Sequence, residues 1–266
     1  MRKSYFYNKN QYVIEIKAEC IPVNLTHNSL GEPFMSSSNS GIYLHPSIMA
    51  HISKAEVNTI LELGSGDALD SIALNRAYDA QVYAFECHPD SLVLCSKNLK
   101  NHPDIHLIPK AVWNQTTTLE FHKVVNGNPF ASSCFHPNPE YPFEKYECNR
   151  IQVNATRLDD WLSTNNINTV DLLCIDLQGA CLEALEGMGN YLKSTKYIIA
   201  ELEIQPIYHE EALHSEVCNF LKEQGFEQIL CIRQWLTSEG RWQEHINEDT
   251  AEGTPSWYAD YLFELN

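Results

Sequence analysis

Residues 59–74 read TILELGSGDALDSIAL. An apolar run, TILEL, gives way to Gly64-Ser65-Gly66 and then to apolar positions at helical spacing, Leu69, Ile72, Ala73 and Leu74. Buried strand, glycine turn and helix in that order make the element with which α/β proteins hold an adenine-bearing cofactor. The dinucleotide fingerprint asks for a third glycine three residues past the second, and Leu69 stands there. Two carboxylates flank the turn as well, Glu62 before the first glycine and Asp67 after the second. They would repel a pyrophosphate and attract a cofactor with cationic groups. S-adenosylmethionine, with its sulfonium and ammonium, fits that charge, and the glycines let the backbone approach its amino-acid tail.

The next strand tests the reading. AQVYAFE ends in Glu86, twenty residues beyond Gly66, where a carboxylate would accept the ribose hydroxyls of an adenosine. Helix PDSLVLCSKNLKNH follows, with Pro89 suited to a first helical turn, and then a third strand, IHLIPKAVW. This β-α-β-α-β rhythm implies parallel strands joined by crossover helices. It breaks between residues 113 and 170. There TLEFHKVV and NRIQVNATRL, both strand-like, flank a loop rich in Pro, Ser, Asn and aromatics, and a loop so long inside a domain is usually functional. Alternation resumes with strand VDLLCID, helix CLEALEGMGNYL, strand KYIIAELE, helix EEALHSEVCNFLKEQG and closing strands FEQILCI and WYADYLFEL. The expectation is a doubly wound, mostly parallel α/β sheet over residues 44–266. Residues 1–43 form an N-terminal extension in which Ser36–Ser38 and Tyr43 offer a lid, and 113–170 forms a substrate-side insertion.

The totals narrow the substrate. The chain has 266 residues, 18 Lys and Arg against 35 Asp and Glu, and a formal charge of −17. Such a surface disfavours nucleic acid and anionic membranes, and no dense Lys/Arg cluster offsets it. The nine cysteines show no Cys-x-x-Cys pair, which points to reduced thiols and a cytoplasmic protein and away from zinc. The first residues lack the apolar core of a signal peptide.

These segments together resemble the FkbM family of methyltransferases. The likeness is carried by ILELGSGDALDS, VYAFECHPDSL, FASSCFHP, RLDDWL, VDLLCIDLQGACLEALEG and AELEIQPIYHEEALHSEVCNFLKEQGF, in that order over about residues 58 to 230. Cys174 replaces the family's usual Lys, Cys87 its usual Pro, and Ala180-Cys181 an acidic position. The resemblance implies a class I, seven-stranded sheet that methylates hydroxyl groups of small molecules or sugars.

In a doubly wound sheet the ligands lie beyond the carboxyl ends of the strands. Glu62, Gly64, Ser65, Gly66 and Asp67 are assigned to the methionine tail and Glu86, with neighbouring Cys87, to the ribose. Ala111 and Val112 line the adenine pocket. Asp176, at the end of LLCID, touches the cofactor and leads as the base for the acceptor, since partial desolvation would raise its pKa. Glu201 is second, and His136 and His209 are alternatives in loops over the site. Ser132, Ser133, Gln178, Glu203 and Tyr208 are expected to contact the acceptor. A Mg²⁺ ion on Asp176 and Glu201 would be chemically reasonable, but nothing in the spacing calls for it and no metal is expected. GNPF at 127–130 resembles the Asn-Pro-Pro-Tyr block of amino-group methyltransferases, yet it follows the third strand and has one Pro, which disfavours nitrogen methylation. Two rivals are a nicotinamide oxidoreductase, which the missing glycine and the acidic turn oppose, and a non-catalytic module that binds S-adenosylmethionine.

Overall fold

The computed structural model describes residues 42–236, 242–246 and 257–266, together with two short antiparallel pairs near the N-terminus. Those pairs are β1 (Tyr5–Tyr7) with β2 (Val13–Glu15) and β3 (Thr26–His27) with β4 (Pro33–Phe34). Ser36–Ser38 lie outside the described residues.

Five parallel strands form the centre of the main sheet: β5 (Thr59–Leu63), β6 (Gln81–Phe85), β7 (Ile105–Ile108), β11 (Leu172–Ile175) and β12 (Tyr197–Glu203). Three antiparallel strands extend it: β13 (Phe226–Leu236), β14 (Trp242–Ile246) and β15 (Tyr258–Leu265). The spatial order is β14-β13-β15-β12-β11-β5-β6-β7. From β5 the chain builds outward to β7, then returns to the other side of β5 to lay down β11 and β12. The strand order therefore reverses between β5 and β11, and the crevice at such a switch point is where α/β proteins bind ligands.

The central strands are apolar on both faces because both faces are covered. Ile60, Leu172, Cys174, Tyr197 and Ile199 face a layer made by α1 (Pro46–Met49), α2 (Leu69–Tyr78) and α3 (Pro89–Asn98). Leu61, Leu63, Leu173, Ile175, Ile198 and Ala200 face α4 (Leu158–Thr164), α5 (Cys181–Gly187) and α6 (His214–Glu223). Caps fix where the helices begin and end. His88 Nδ1 accepts from the Asp90 and Ser91 amides ahead of α3, whose first residue is Pro89. After α6, Gly225 turns the chain at φ +96°.

One expectation is corrected. The third strand does not run through IHLIPKAVW: Ile105–Ile108 stays in the main sheet, while Ala111–Val112 leaves it as β8. The seven-stranded main sheet is as expected, and among the described residues an eighth strand, β14, is added at its edge by a hairpin with β13. The insertion is a sheet of its own, with β10 (Glu147–Thr156) parallel to β8 and antiparallel to β9 (Thr117–Asn126). Among the described residues no helix is long and apolar enough to cross a membrane, and no disulfide joins the cysteines.

Candidate active site

The turn after β5 is held by backbone. The Gly64 and Ser65 amides both donate to the Phe85 carbonyl at 3.0 Å, which ties the turn to the end of β6. Gly64 has φ +86° and Gly66 φ +58°, conformations that suit glycine. Ser65 is buried and its hydroxyl donates to the same Phe85 carbonyl, so it shapes the turn rather than offering a side chain to the cleft. Asp67 accepts from the Leu69 amide at 3.2 Å and so caps α2.

Two cavities open beyond these strand ends, and Gly64 and Asp176 stand in the walls of both. The first lies against Gly66, Glu86, Cys87, Ala111, Val112 and Phe130, so the residues assigned to ribose and adenine come together there. Glu86 is 8% exposed. Its Oε2 accepts from the Gly66 amide at 2.7 Å, and its Oε1 from the Cys87 and His88 amides, each at 2.7 Å. A carboxylate oxygen has about two acceptor sites, so Oε1 is saturated and Oε2 keeps one. Glu86 thus fits one hydroxyl of a ribose, where the sequence suggested two. Burial raises its pKa while the three amides pull it down.

The second cavity is lined by Tyr43, Glu62, Asp70, Asp176, Glu201 and Asp260, among others. Glu62 is 1% exposed and accepts from the Ser71 hydroxyl. Burial pushes Glu62 well above the usual carboxylate range, and Asp70 and Glu86 add to the shift. Burial does the same to Asp176, and to Glu201 and Asp260 more strongly, with Asp176 raising both. Burial thus opposes charge on each of these acids, and a cation in the cavity would favour it.

Gln178 links two of the acids. Its Nε2 donates to Asp176 Oδ1 at 2.6 Å and to Glu201 Oε1 at 3.3 Å, while its Oε1 accepts from the Tyr208 hydroxyl at 2.8 Å. The turn carrying it is unusual, with Gln178 at φ +51° and Gly179 at φ +95°. Several buried groups hold that conformation. The Ser133 hydroxyl donates to the Gln178 carbonyl at 2.6 Å, and Glu203, buried below, accepts from the Gly179 amide. Tyr208 also donates to the Ala131 carbonyl at 3.0 Å.

The expected acceptor contacts divide accordingly. Asp176, Glu201 and Gln178 reach cavity walls. Ser133, Glu203 and Tyr208 support the Gln178 turn from behind. Ser132 lies in the wall of the first cavity, its hydroxyl bonded to the Pro129 carbonyl and the Val124 amide. The His136 and His209 rings lie 5.7 Å apart, tilted by 42°, and His122 meets His136 edge-on at 5.1 Å. None of these three histidines lines either cavity. Among the described residues no group of three His, Cys, Asp or Glu is placed to hold a metal ion.

Sequence reasoning named Tyr43 only as part of a lid and missed Asp70, Asp260 and Glu211. Tyr43 is 6% exposed and packs into the core below the second cavity. Asp260 had a signal, a carboxylate among the apolar residues of YADYLFEL. Glu211 accepts from the Ile207 and Tyr208 amides at 2.5 and 2.9 Å and so positions Tyr208.

A doubly wound sheet with a glycine turn, a carboxylate at the next strand end and an acidic cavity at the switch point defines an enzyme of the nucleotide-cofactor α/β class. The chain belongs to the methyltransferase FkbM domain family, whose model matches residues 48–227. It is 27% identical over 179 residues to the 2-O-methyltransferase NoeI of Sinorhizobium fredii, which covers 64% of this chain and 72% of that protein. A precorrin-6y C5,15-methyltransferase from Geobacter metallireducens matches 79% of this chain and 80% of its own, with 13% identity and a TM-score of 0.40. An rRNA methylase from Streptococcus thermophilus matches 84% of this chain and 98% of its own, with 14% identity and a TM-score of 0.44.

Proposed function

We propose that this protein is an S-adenosylmethionine-dependent O-methyltransferase acting on a hydroxyl of a small molecule or sugar, with residues 44–266 as its catalytic domain, 113–170 as its substrate-side insertion and 1–43 as an N-terminal extension. The observation that carries the reading is the Asp176–Gln178–Glu201 link at the junction of a cavity suited to adenosine and a cavity lined by acids. The 2-O-methyltransferase activity in the name of NoeI supports oxygen as the acceptor atom.

Gly64, Gly66 and Asp67 would hold the amino-acid tail of the donor, Glu86 one ribose hydroxyl, and Ala111 and Val112 the adenine. When bound, the donor supplies a methyl group already activated by a sulfonium. What remains for the chain is alignment and proton removal. Asp176 takes the proton that the acceptor hydroxyl gives up, and its burial makes it a stronger base than an exposed aspartate once ionised. Gln178 holds the Asp176 carboxylate in one orientation and keeps Glu201 beside it.

The test is transfer of labelled methyl from S-adenosylmethionine to a panel of hydroxylated acceptors, with Asp176→Asn as control. The reading expects label in an ether linkage, a kcat at least about 100-fold lower in the variant, and S-adenosylhomocysteine affinity within a few-fold of wild type. Label on nitrogen would refute oxygen as the acceptor atom, and an unchanged kcat in Asp176→Asn would refute Asp176 as the base.

A further inference from the structure

Four adjacent strands each bring one residue to the same level at the mouth of the second cavity. Leu63 pairs with Ile175 and Ile175 with Ala200, so the following residues, Gly64, Asp176 and Glu201, stand side by side. Glu201 pairs directly with Asp260 on β15. Residues opposite one another in an antiparallel pair project from the same face with Cβ atoms about 5 Å apart, and like charges so placed destabilise a sheet. Both line the cavity, and no Lys or Arg stands in its wall.

A second observation points to a ligand. The Tyr43 side chain is nine-tenths buried, lines this cavity beside Asp176 and Glu62, and has no hydrogen-bond partner among the described residues. Asp260 has none among them either. A phenol enclosed in this way is suited to bond a group that enters the cavity, where the half-buried Asp260 also stands.

The methyl donor does not account for them all. Its two cationic centres, ammonium and sulfonium, are joined through three carbons and belong to the glycine turn. Asp260 lies three strands away from that turn, about 14 Å at the usual strand spacing. Building on the methyl-transfer reading, we propose that the acceptor is a hydroxylated amine, such as an amino sugar or amino alcohol, whose ammonium sits between Glu201 and Asp260. The ammonium relieves the facing carboxylates, presents the neighbouring hydroxyl to Asp176, and leaves Tyr43 to donate to another acceptor oxygen. A neutral polyol would bring no positive charge to this pair.

Calorimetry on the full chain loaded with S-adenosylhomocysteine tests this with two matched pairs, glucosamine against glucose and aminocyclohexanol against cyclohexanol. Wild type should bind at least one amine about tenfold more tightly than its neutral counterpart. In Asp260→Asn that preference should shrink to about twofold, while affinity for S-adenosylhomocysteine stays the same. The variant should keep a melting temperature within a few degrees of wild type, and that separates a lost contact from a lost fold. Equal affinity within both pairs, no binding of either amine to loaded protein, or a preference that survives in Asp260→Asn overturns the proposal. Failure of S-adenosylhomocysteine itself to bind would instead bring down the methyl-transfer reading beneath it.

Discussion

A Cβ on Gly64 would stand 1.9 Å from the carbonyl oxygen of Asp176. The glycine turn and the end of β11 are thus in backbone contact, which sets the proposed donor side directly against Asp176, the proposed base. Gly64→Ala has nowhere to put its methyl group, since the obstacle is backbone and φ is +86°. It should cost about 3 kcal/mol or more in denaturant unfolding. Gly66→Ala meets only the edge of the half-exposed Phe130 ring at 3.3 Å. That variant should lose about 1 kcal/mol, from its positive φ, and remain folded.

Tyr208 is a positioning residue. Its hydroxyl is shared between Gln178 Oε1 and the Ala131 carbonyl, and burial pushes its pKa so far up that it stays a donor throughout the working range. Tyr208→Phe should destabilise the fold by about 1–3 kcal/mol, because the one hydroxyl proton shared by two buried acceptors is lost. It should also lower kcat more than it weakens S-adenosylhomocysteine binding, since Gln178 is then free to turn away from Asp176 and Glu201. Equal losses in both would mean that Tyr208 acts only through the fold.

Glu211 makes a pH prediction. Burial raises it from 4.5 to about 7, against the pull of the Tyr208 and Ile207 amides, and its Oε2 is buried without a partner. Between those two values the folded chain holds a proton that the unfolded chain has lost. The stability this proton confers is complete below about pH 4.5 and is lost as pH rises to about 7, ~3 kcal/mol in all. Glu211→Gln carries no such proton. Melting temperatures of the variant should therefore fall less steeply than those of wild type over that window, and parallel curves would show that Glu211 does not titrate there.

The parts of the site that were legible in the sequence are local. A strand buried on both faces is written as an apolar run, and a turn that needs positive φ is written as glycine, so TILELGSG and the Glu86 strand end announce themselves. Asp176 was legible as the end of the apolar strand LLCID, whereas the positive φ of Gln178 in the turn after it was not. What escaped depends on pairing between distant segments. Asp260 matters because β15 lies antiparallel to β12 and sets it opposite Glu201, and nothing near residue 260 encodes that register. IHLIPKAVW reads as one strand, but Pro109 has no amide to donate to a ladder, and the chain leaves the sheet there to pair with β10. His136 and His209 drew notice as residue types able to act as bases; the fold sets their rings beside each other, tilted by 42°, outside the walls of both cavities.

Calorimetric titration with S-adenosylhomocysteine, on wild type and on Glu86→Ala, tests the central claim most directly. That claim is that the acidic glycine turn and Glu86 together hold an adenosine bearing a sulfur-linked amino-acid tail. Wild type should bind with a Kd in the micromolar range, Glu86→Ala at least about tenfold more weakly through loss of a charge-assisted hydrogen bond, and NAD not at all. Tight binding of NAD, or S-adenosylhomocysteine binding that Glu86→Ala leaves untouched, would contradict the account.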